Sequence, residues 1–392
     1  MIETSALTGT AFDQPNFYYE VAGRRTFSKP EAIMWAQGKL EDVRFFYLDD
    51  VWEQVDWKHR PTRLLDQVVD DRVRQIRSQF DHVYLSYSGG YDSHTILDAF
   101  IRTGIRLDGV KIRLKRFCQT DENMQAVEQA KKIKASLMPH LDISIVWLEV
   151  EPFIDFYLKN RDDWITKLGW FEQHFTKSSM QFNQMYNRDY QVVLDQHARQ
   201  SHCLLFGSEK PRLWIENGAW YSSMIDSATE WLLNCTLEPF WTSRNMPDLH
   251  VCQVWGMLDW IESQPFTDVE QVHTFLHQVQ SHRAGWDVYR DWNISIGRTP
   301  VWNKYSYQGG STKGYDAFDP TTRADSTVVV DHATRSAQDA HRIWLGQINE
   351  FRSQYEHAFN KDKQLNGIWS KKHYIKPVEP GRLCPAKSQL LL

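Results

Sequence analysis

Ser88-Gly89-Gly90-Tyr91-Asp92-Ser93 puts two hydroxyls, two glycines and one carboxylate into a single short stretch of chain. Residues of those types in that order can hold a phosphate. Gly89 and Gly90 carry no Cβ and reach positive φ, so successive backbone N–H groups can converge on phosphate oxygens. Ser88 and Ser93 add hydroxyl donors, and a helix beginning near Asp92 aims its positive end at the same spot. A carboxylate facing a phosphate repels it unless a divalent cation lies between them, so Asp92 implies magnesium. The spacings of the other common phosphate loops, Gly-x-x-x-x-Gly-Lys-Ser/Thr and Gly-x-Gly-x-x-Gly, are absent here.

The flanking pattern says what positions this loop. Val83 to Ser86 reads as a short apolar strand before it, and Ser93 to Arg102 as a helix after it. Helix and strand then alternate. A strand at Gly109 to Leu114 is followed by a helix from Thr120 to about Leu137, a strand at Ile143 to Val150, two Trp-rich helical stretches, and a strand at His202 to Gly207. Such alternation is the pattern of an α/β parallel sheet with helices on both faces. Right-handed crossovers lay the strands side by side, and ligands of open sheets sit at the carboxyl ends where the strand order switches. Ser88, Lys115, Arg116 and the segment after Phe206 are thereby expected around one crevice.

Ser88 to Ser93 resembles the PP-loop of the N-type ATP pyrophosphatases, which include asparagine synthetase C-terminal domains, NAD and GMP synthetases, tRNA-lysidine synthetase and several tRNA thiolases. The loop matches closely and residues from about 80 to 260 more loosely, and the chain as a whole resembles PP-loop proteins carried by tailed phages. The resemblance implies the adenine nucleotide alpha-hydrolase-like (HUP) fold and ATP as substrate, cut between its α and β phosphates. It further implies adenylation of an acceptor carboxylate or amide oxygen, and a loop that holds the departing pyrophosphate with Mg2+. Adenine is then expected at Leu85, Ser86, Tyr87 and Leu114, with Lys115 near the phosphates. In Gly207-Ser208-Glu209-Lys210-Pro211-Arg212, the resemblance makes Glu209 the second magnesium ligand and Lys210 or Arg212 the neutraliser of the triphosphate. The order of that segment departs from the Gly-x-Asp-Glu of asparagine synthetases. Lys313 or Lys304, in and near a glycine-rich loop at 308–314, is similar in placement to the lysine that stabilises the adenylate in asparagine and β-lactam synthetases. Asp92, Lys210 and Lys313 are the catalytic candidates. Position 2 is Ile2, where glutaminase domains carry a nucleophilic cysteine, so ammonia is not expected to be made within this chain.

Two other function classes are open. Sulfur transfer, or sulfonucleotide reduction, uses a similar fold and needs a thiolate, for which Cys118 and Cys203 are placed near strand ends. A nucleotide-binding or structural subunit with an inherited loop is the second.

Composition narrows the setting. The chain has 392 residues, a net charge of -5 and five scattered cysteines, with a pI near 6.3. That charge gives no reason to expect nucleic-acid binding, and without a C-x-x-C pair neither a zinc ribbon nor a disulfide framework is signalled. The cytoplasm, a host's if the chain is phage-borne, is the expected location. No apolar run suits a membrane helix. Aromatic residues, 14% of the chain, are spread out as core residues are. The expected organisation is an α+β lead at 1–78, an ATP-binding domain at 79–262 and an α-rich region with an extended arm at 263–392. The lead holds an aromatic strand near 16–21, a Ser28/Glu31 capping box before a helix to Lys39, a strand at 43–48 and a helix opening at Arg60-Pro61. Thr267 and Glu270 cap a later helix, on which His273 and His277 read as surface decoration, and a long helix is expected at 335–359. A small-molecule or peptide acceptor is the expected partner, with a homo-oligomer formed through the C-terminal arm.

Overall fold

The computed structural model describes residues 17–115, 124–148, 162, 202–207, 211–226, 237–280, 293–294, 297, 346–347, 349–359 and 367–379. The aromatic strand of the lead is β1 (Phe17–Val21), which turns at Ala22-Gly23 into β2 (Arg24–Thr26) and pairs on its other side with β3 (Arg44–Tyr47). Alternation sets its faces: Phe17, Tyr19, Phe45 and Tyr47 are buried, while Tyr18 stacks on Phe46 on the other side. α1 (Lys29–Trp35) begins at Ser28, whose Oγ accepts the Glu31 N–H at 3.2 Å. The second half of the expected box is relayed, because Ser28 N–H donates to Thr26 Oγ1 and the Thr26 hydroxyl donates to the Glu31 carboxylate. The helix ends short of Lys39, where Gln37 and Gly38 turn to positive φ. After α2 (Asp49–Trp52), α3 (Leu65–Gln79) starts later than Arg60-Pro61, its first turn fixed by Gln67 Oε1 accepting the Leu64 N–H at 3.2 Å.

The chain then runs through β4 (His82–Ser86), α4 (Tyr91–Thr103), β5 (Gly109–Lys115), α5 (Met124–Ser136), β6 (Asp142–Leu148) and β7 (His202–Phe206). A hairpin follows, β8 (Arg212–Glu216) and β9 (Ala219–Ser223), and then β10 (Leu237–Pro239). The parallel strands lie in the order β10-β7-β4-β5-β6. The fold is therefore α/β, with the chain growing outward from β4 through β5 to β6 and then crossing back to place β7 and β10 on the other side. The order switches between β4 and β7. Val83, Leu85, Val110, Ile112, Leu114, Cys203 and Leu205 share one core with α3, α4 and α5. On the opposite face Tyr84 packs with Leu204 and Phe206. The Trp-rich stretches expected between Val150 and His202 lie outside the described residues.

A second core joins distant parts of the chain. Phe17, Tyr19, Trp52, Leu213 and Trp220 pack with α6 (Asp248–Ser263), α7 (Val269–Gln280) and β11 (His373–Pro377). Each of the three expected stretches contributes to it. α6 divides the two cores, burying Leu249 and Cys252 in the first and Val251, Val254 and Leu258 in the second. β11 pairs antiparallel with β9, so residues 373–377 of the C-terminal arm pack against their own chain in a sheet ordered β11-β9-β8. Sequence alone assigned no strand to 212–223, although Asn217-Gly218, both at positive φ, is a strong two-residue hairpin signal. The cap of α7 also differs by one residue: Asp268 Oδ1 accepts the Gln271 N–H at 2.9 Å, and Gln271 Oε1 accepts the Thr267 N–H at 3.1 Å. No described helix is long and apolar enough to cross a membrane.

Two buried polar features tie this second core together. Lys29 and Asp226, each 2% exposed, pair at 2.9 Å. Tyr19 donates to Asp226 at 3.0 Å, and the Ile368 N–H donates to its other oxygen at 3.1 Å. Trp52 stacks on His250 and Trp57 stacks on His373, with the two indoles edge to face. Asp226→Ala leaves the Lys29 ammonium buried without its counter-charge and should lower stability by about 3–5 kcal/mol in urea unfolding. Burial, with Lys371 adding to it and Glu53 opposing, pulls His373 down to about 4 from an ordinary 6.5. The unfolded chain therefore takes up that proton first. Relative to a His373→Phe variant, the parent should keep its stability above pH 6.5 and lose about 2–3 kcal/mol as the pH falls towards 4. A difference that stays flat with pH in urea titrations would contradict the buried neutral imidazole.

Candidate functional site

The phosphate-type loop sits at the switch in strand order. β4 delivers Ser88 to the carboxyl edge of the sheet, and α4 leaves from Gly90, whose extended backbone (φ -84, ψ 169) precedes the first helical residue. Gly89 has φ +68, and a Cβ there would lie 3.1 Å from Ala126 Cβ, so the turn needs glycine both for its conformation and for the approach of α5. Asp92 lies in the first turn of α4 and is half-buried.

Inside the loop the contacts are long. Ser88 N–H donates to Ser93 Oγ at 3.2 Å, the two hydroxyl oxygens lie 3.3 Å apart, and Gly90 N–H donates to Ser88 Oγ at 3.4 Å. The Ser93 hydroxyl lies 3.3 Å from the Gly90 carbonyl. Two backbone donors are thus held by weakly placed hydroxyls, which an incoming anion with stronger acceptor oxygens can displace.

β7 brings the second segment to the same place. A Cβ on Gly207 would lie 2.9 Å from the Asp92 carbonyl carbon and 3.0 Å from its oxygen. Gly207, expected from the sequence to line the crevice, is therefore in backbone contact with the first turn of α4. Ser208, Glu209 and Lys210, which follow it, lie outside the described residues, as do Cys118, Lys304 and Lys313. Arg212 opens β8, opposite Ser223. Lys115 ends β5, and only its backbone is described.

Strand parity decides what the remaining candidates present. Leu85, Tyr87, Leu114 and Tyr91 are 0%, 2%, 1% and 3% exposed, with Leu85, Tyr87 and Leu114 in the core beneath the helices. What those three offer an adenine is backbone, and the Tyr87 N–H is already given to the Lys111 carbonyl at 3.0 Å. Ser86 points to the other face, where Arg113 Nη2 donates to its hydroxyl at 2.9 Å. Desolvation pulls the Arg113 guanidinium down to about 10, which leaves it charged at neutral pH. Sequence reasoning chose Lys115 and passed over Arg113. The alternation Lys111, Arg113, Lys115 against Val110, Ile112, Leu114 was the available signal.

His94 was missed as well. It lies on α4 directly after the loop, is 8% exposed, and its Nδ1 is 2.9 Å from the Tyr87 hydroxyl. Cys203 is 1% exposed in the core at β7, and Cys252, in α6, has its thiol pushed up to about 11 by burial. Neither is presented as a reactive thiolate. Among the described residues no group of three or more His, Cys, Asp or Glu is arranged to hold a metal ion. A magnesium ion, which takes few protein ligands and completes its shell from phosphate and water, fits the single carboxylate and two hydroxyls at Asp92, Ser88 and Ser93.

No family model matches the chain, and no curated protein matches it. Among solved structures it is similar to NMN synthetase from Francisella tularensis, with 12% identity over 74% of this chain and 94% of that one and a TM-score of 0.27. A likeness that loose carries no argument about fold or site, and the fold stands on the strand order.

Gly207→Ala should force the first turn of α4 away from β7. Thermal or urea unfolding should show a loss of about 1–3 kcal/mol, the range for overpacking. Gly218→Ala, in open space within the Asn217-Gly218 turn, should cost only its backbone strain. Equal stability for Gly207→Ala and the parent would contradict the contact.

Proposed function

We propose that this chain is an ATP pyrophosphatase-type enzyme that transfers AMP from ATP to an acceptor carboxylate or amide oxygen. A nitrogen nucleophile then bonds to the carbon bearing that oxygen, the carbon–oxygen bond breaks and AMP leaves with the oxygen. The observation that carries the reading is the place of the Ser88–Ser93 loop: it follows β4 and meets the segment after β7 where the order of the described parallel strands reverses, the usual ligand crevice of an open α/β sheet.

In the step, the acceptor oxygen bonds to the α-phosphorus. The bond from that phosphorus to the α–β bridging oxygen breaks, and pyrophosphate leaves with the electron pair. Charge therefore grows on the leaving diphosphate. The N–H groups of Ser88 and Gly90, the two serine hydroxyls and the N-terminal end of α4 are the groups of this chain aimed at that charge. Asp92, with Glu209 beyond the described residues, would hold magnesium, which when bound neutralises phosphate charge. Lys210 and Lys313 remain the proposed cations for the triphosphate and the adenylate, and Arg113, whose guanidinium donates to the Ser86 hydroxyl, is proposed as a third.

Sulfur transfer has less support. Cys203, one of its two candidate thiols, is a core residue, and the reading then rests on Cys118 alone.

Incubation with ATP, magnesium and panels of amino acids, small carboxylates and peptides should release AMP and pyrophosphate. Ser88→Ala and Asp92→Asn should each lower that rate by about 100-fold or more, the usual effect of removing one preorganised stabilising group. ADP and orthophosphate as products would overturn the proposal.

A further inference from the structure

Four contacts among Ser88, Gly90 and Ser93 run from 3.2 to 3.4 Å, at the weak end of the hydrogen-bond range. Yet the loop has to keep its amides converging before a ligand arrives, because donors that reorganise on binding lose much of their value. Side chains that flank the loop can supply that hold. Tyr87 immediately precedes the loop and His94 immediately follows it, and Tyr87 Oη is 2.9 Å from His94 Nδ1. Both side chains are buried, at 2% and 8% exposure, beneath the turn they bracket.

We infer that the Tyr87–His94 hydrogen bond is a clamp that holds the two ends of the loop at the spacing pyrophosphate requires, making both positioning residues for the proposed reaction. The inference rests on the function proposed above. Its chemistry is consistent at each atom. Burial pushes the Tyr87 phenol up, so it keeps its proton. The His94 ring makes the bond in either neutral tautomer, accepting at Nδ1 when its proton sits on Nε2 and donating to the phenol oxygen when the proton sits on Nδ1. Further along the same strand and helix, ordinary core contacts take over at Leu85 and at Ile96 and Leu97. This bond is therefore a side-chain link that spans the two ends of the loop, and it is local enough to be removed without removing the core.

The test is a double-mutant cycle read by calorimetry with magnesium pyrophosphate. Tyr87→Phe deletes only the hydroxyl, and His94→Leu deletes its ring partner while keeping an apolar residue in the core. Each should weaken pyrophosphate binding about tenfold, the effect of one buried hydrogen bond, at temperatures where near-UV dichroism shows the variants fully folded. The double variant should lose no more than about the larger single loss, since both act through one bond. Unchanged affinity in Tyr87→Phe, or losses that multiply in the double variant, would overturn the clamp while leaving the enzyme reading in place. If the parent binds neither pyrophosphate nor ATP, the function proposed above fails instead. Hydrogen exchange at residues 88–93 then decides the clamp by itself: faster exchange in Tyr87→Phe upholds it, and unchanged exchange ends it.

Discussion

The close approach of Gly207 to the backbone of Asp92 is the contact on which the rest of the site depends. Two segments far apart in sequence, one leaving β4 and one leaving β7, converge because those strands are neighbours in the sheet. Their separation is set by main-chain atoms, with a hypothetical Cβ at 2.9 Å from Asp92 C leaving no room for a side chain. A site closed by backbone contact is stiffer than one closed by long side chains. That stiffness suits a loop whose amides must already point inward when an anion arrives.

The same economy of space explains how the loop is held from below. α4 and α5 both begin at the loop, with Ala126 of α5 against Gly89 and Gly90 leading into α4. Beneath them lies an apolar core of Leu85, Ile96, Leu97 and Leu114, so the loop rests on packed side chains. Polar groups buried in that layer, Tyr87 and His94, satisfy one another, as groups removed from water must.

The second core puts the lead, the hairpin and the C-terminal strand into one packed body, with α6 as the wall shared with the parallel sheet. The Lys29–Asp226 pair sits where these segments meet, taking Tyr19 from β1 and the Ile368 amide from the chain before β11. A buried pair of this kind gives little net stability over an apolar substitute. It does, however, penalise any arrangement that separates its members, which makes it a device for register. The packing of β11 against β9 gives the arm a place within its own chain.

Local rules with a direct chemical cause were legible in the sequence. The loop between β4 and α4 followed from glycine and hydroxyl spacing, the alternating elements from apolar periodicity, and the Ser28 cap from its position ahead of Pro30. Boundaries slipped where a side chain decided them, as Gln67 does for α3 and Asp268 for α7. The hairpin at Asn217-Gly218 carried a readable signal in that dipeptide. The sequence by itself determined that residues 88–93 form a glycine- and hydroxyl-rich turn between β4 and α4, because backbone freedom and hydroxyl donors are properties of single residues and their neighbours. The tertiary structure alone decided that Gly207 meets Asp92, that Arg113 reaches Ser86 and that His94 reaches Tyr87. Strand order and the pairing of neighbouring elements are outcomes of how the whole chain packs, and no local stretch encodes them.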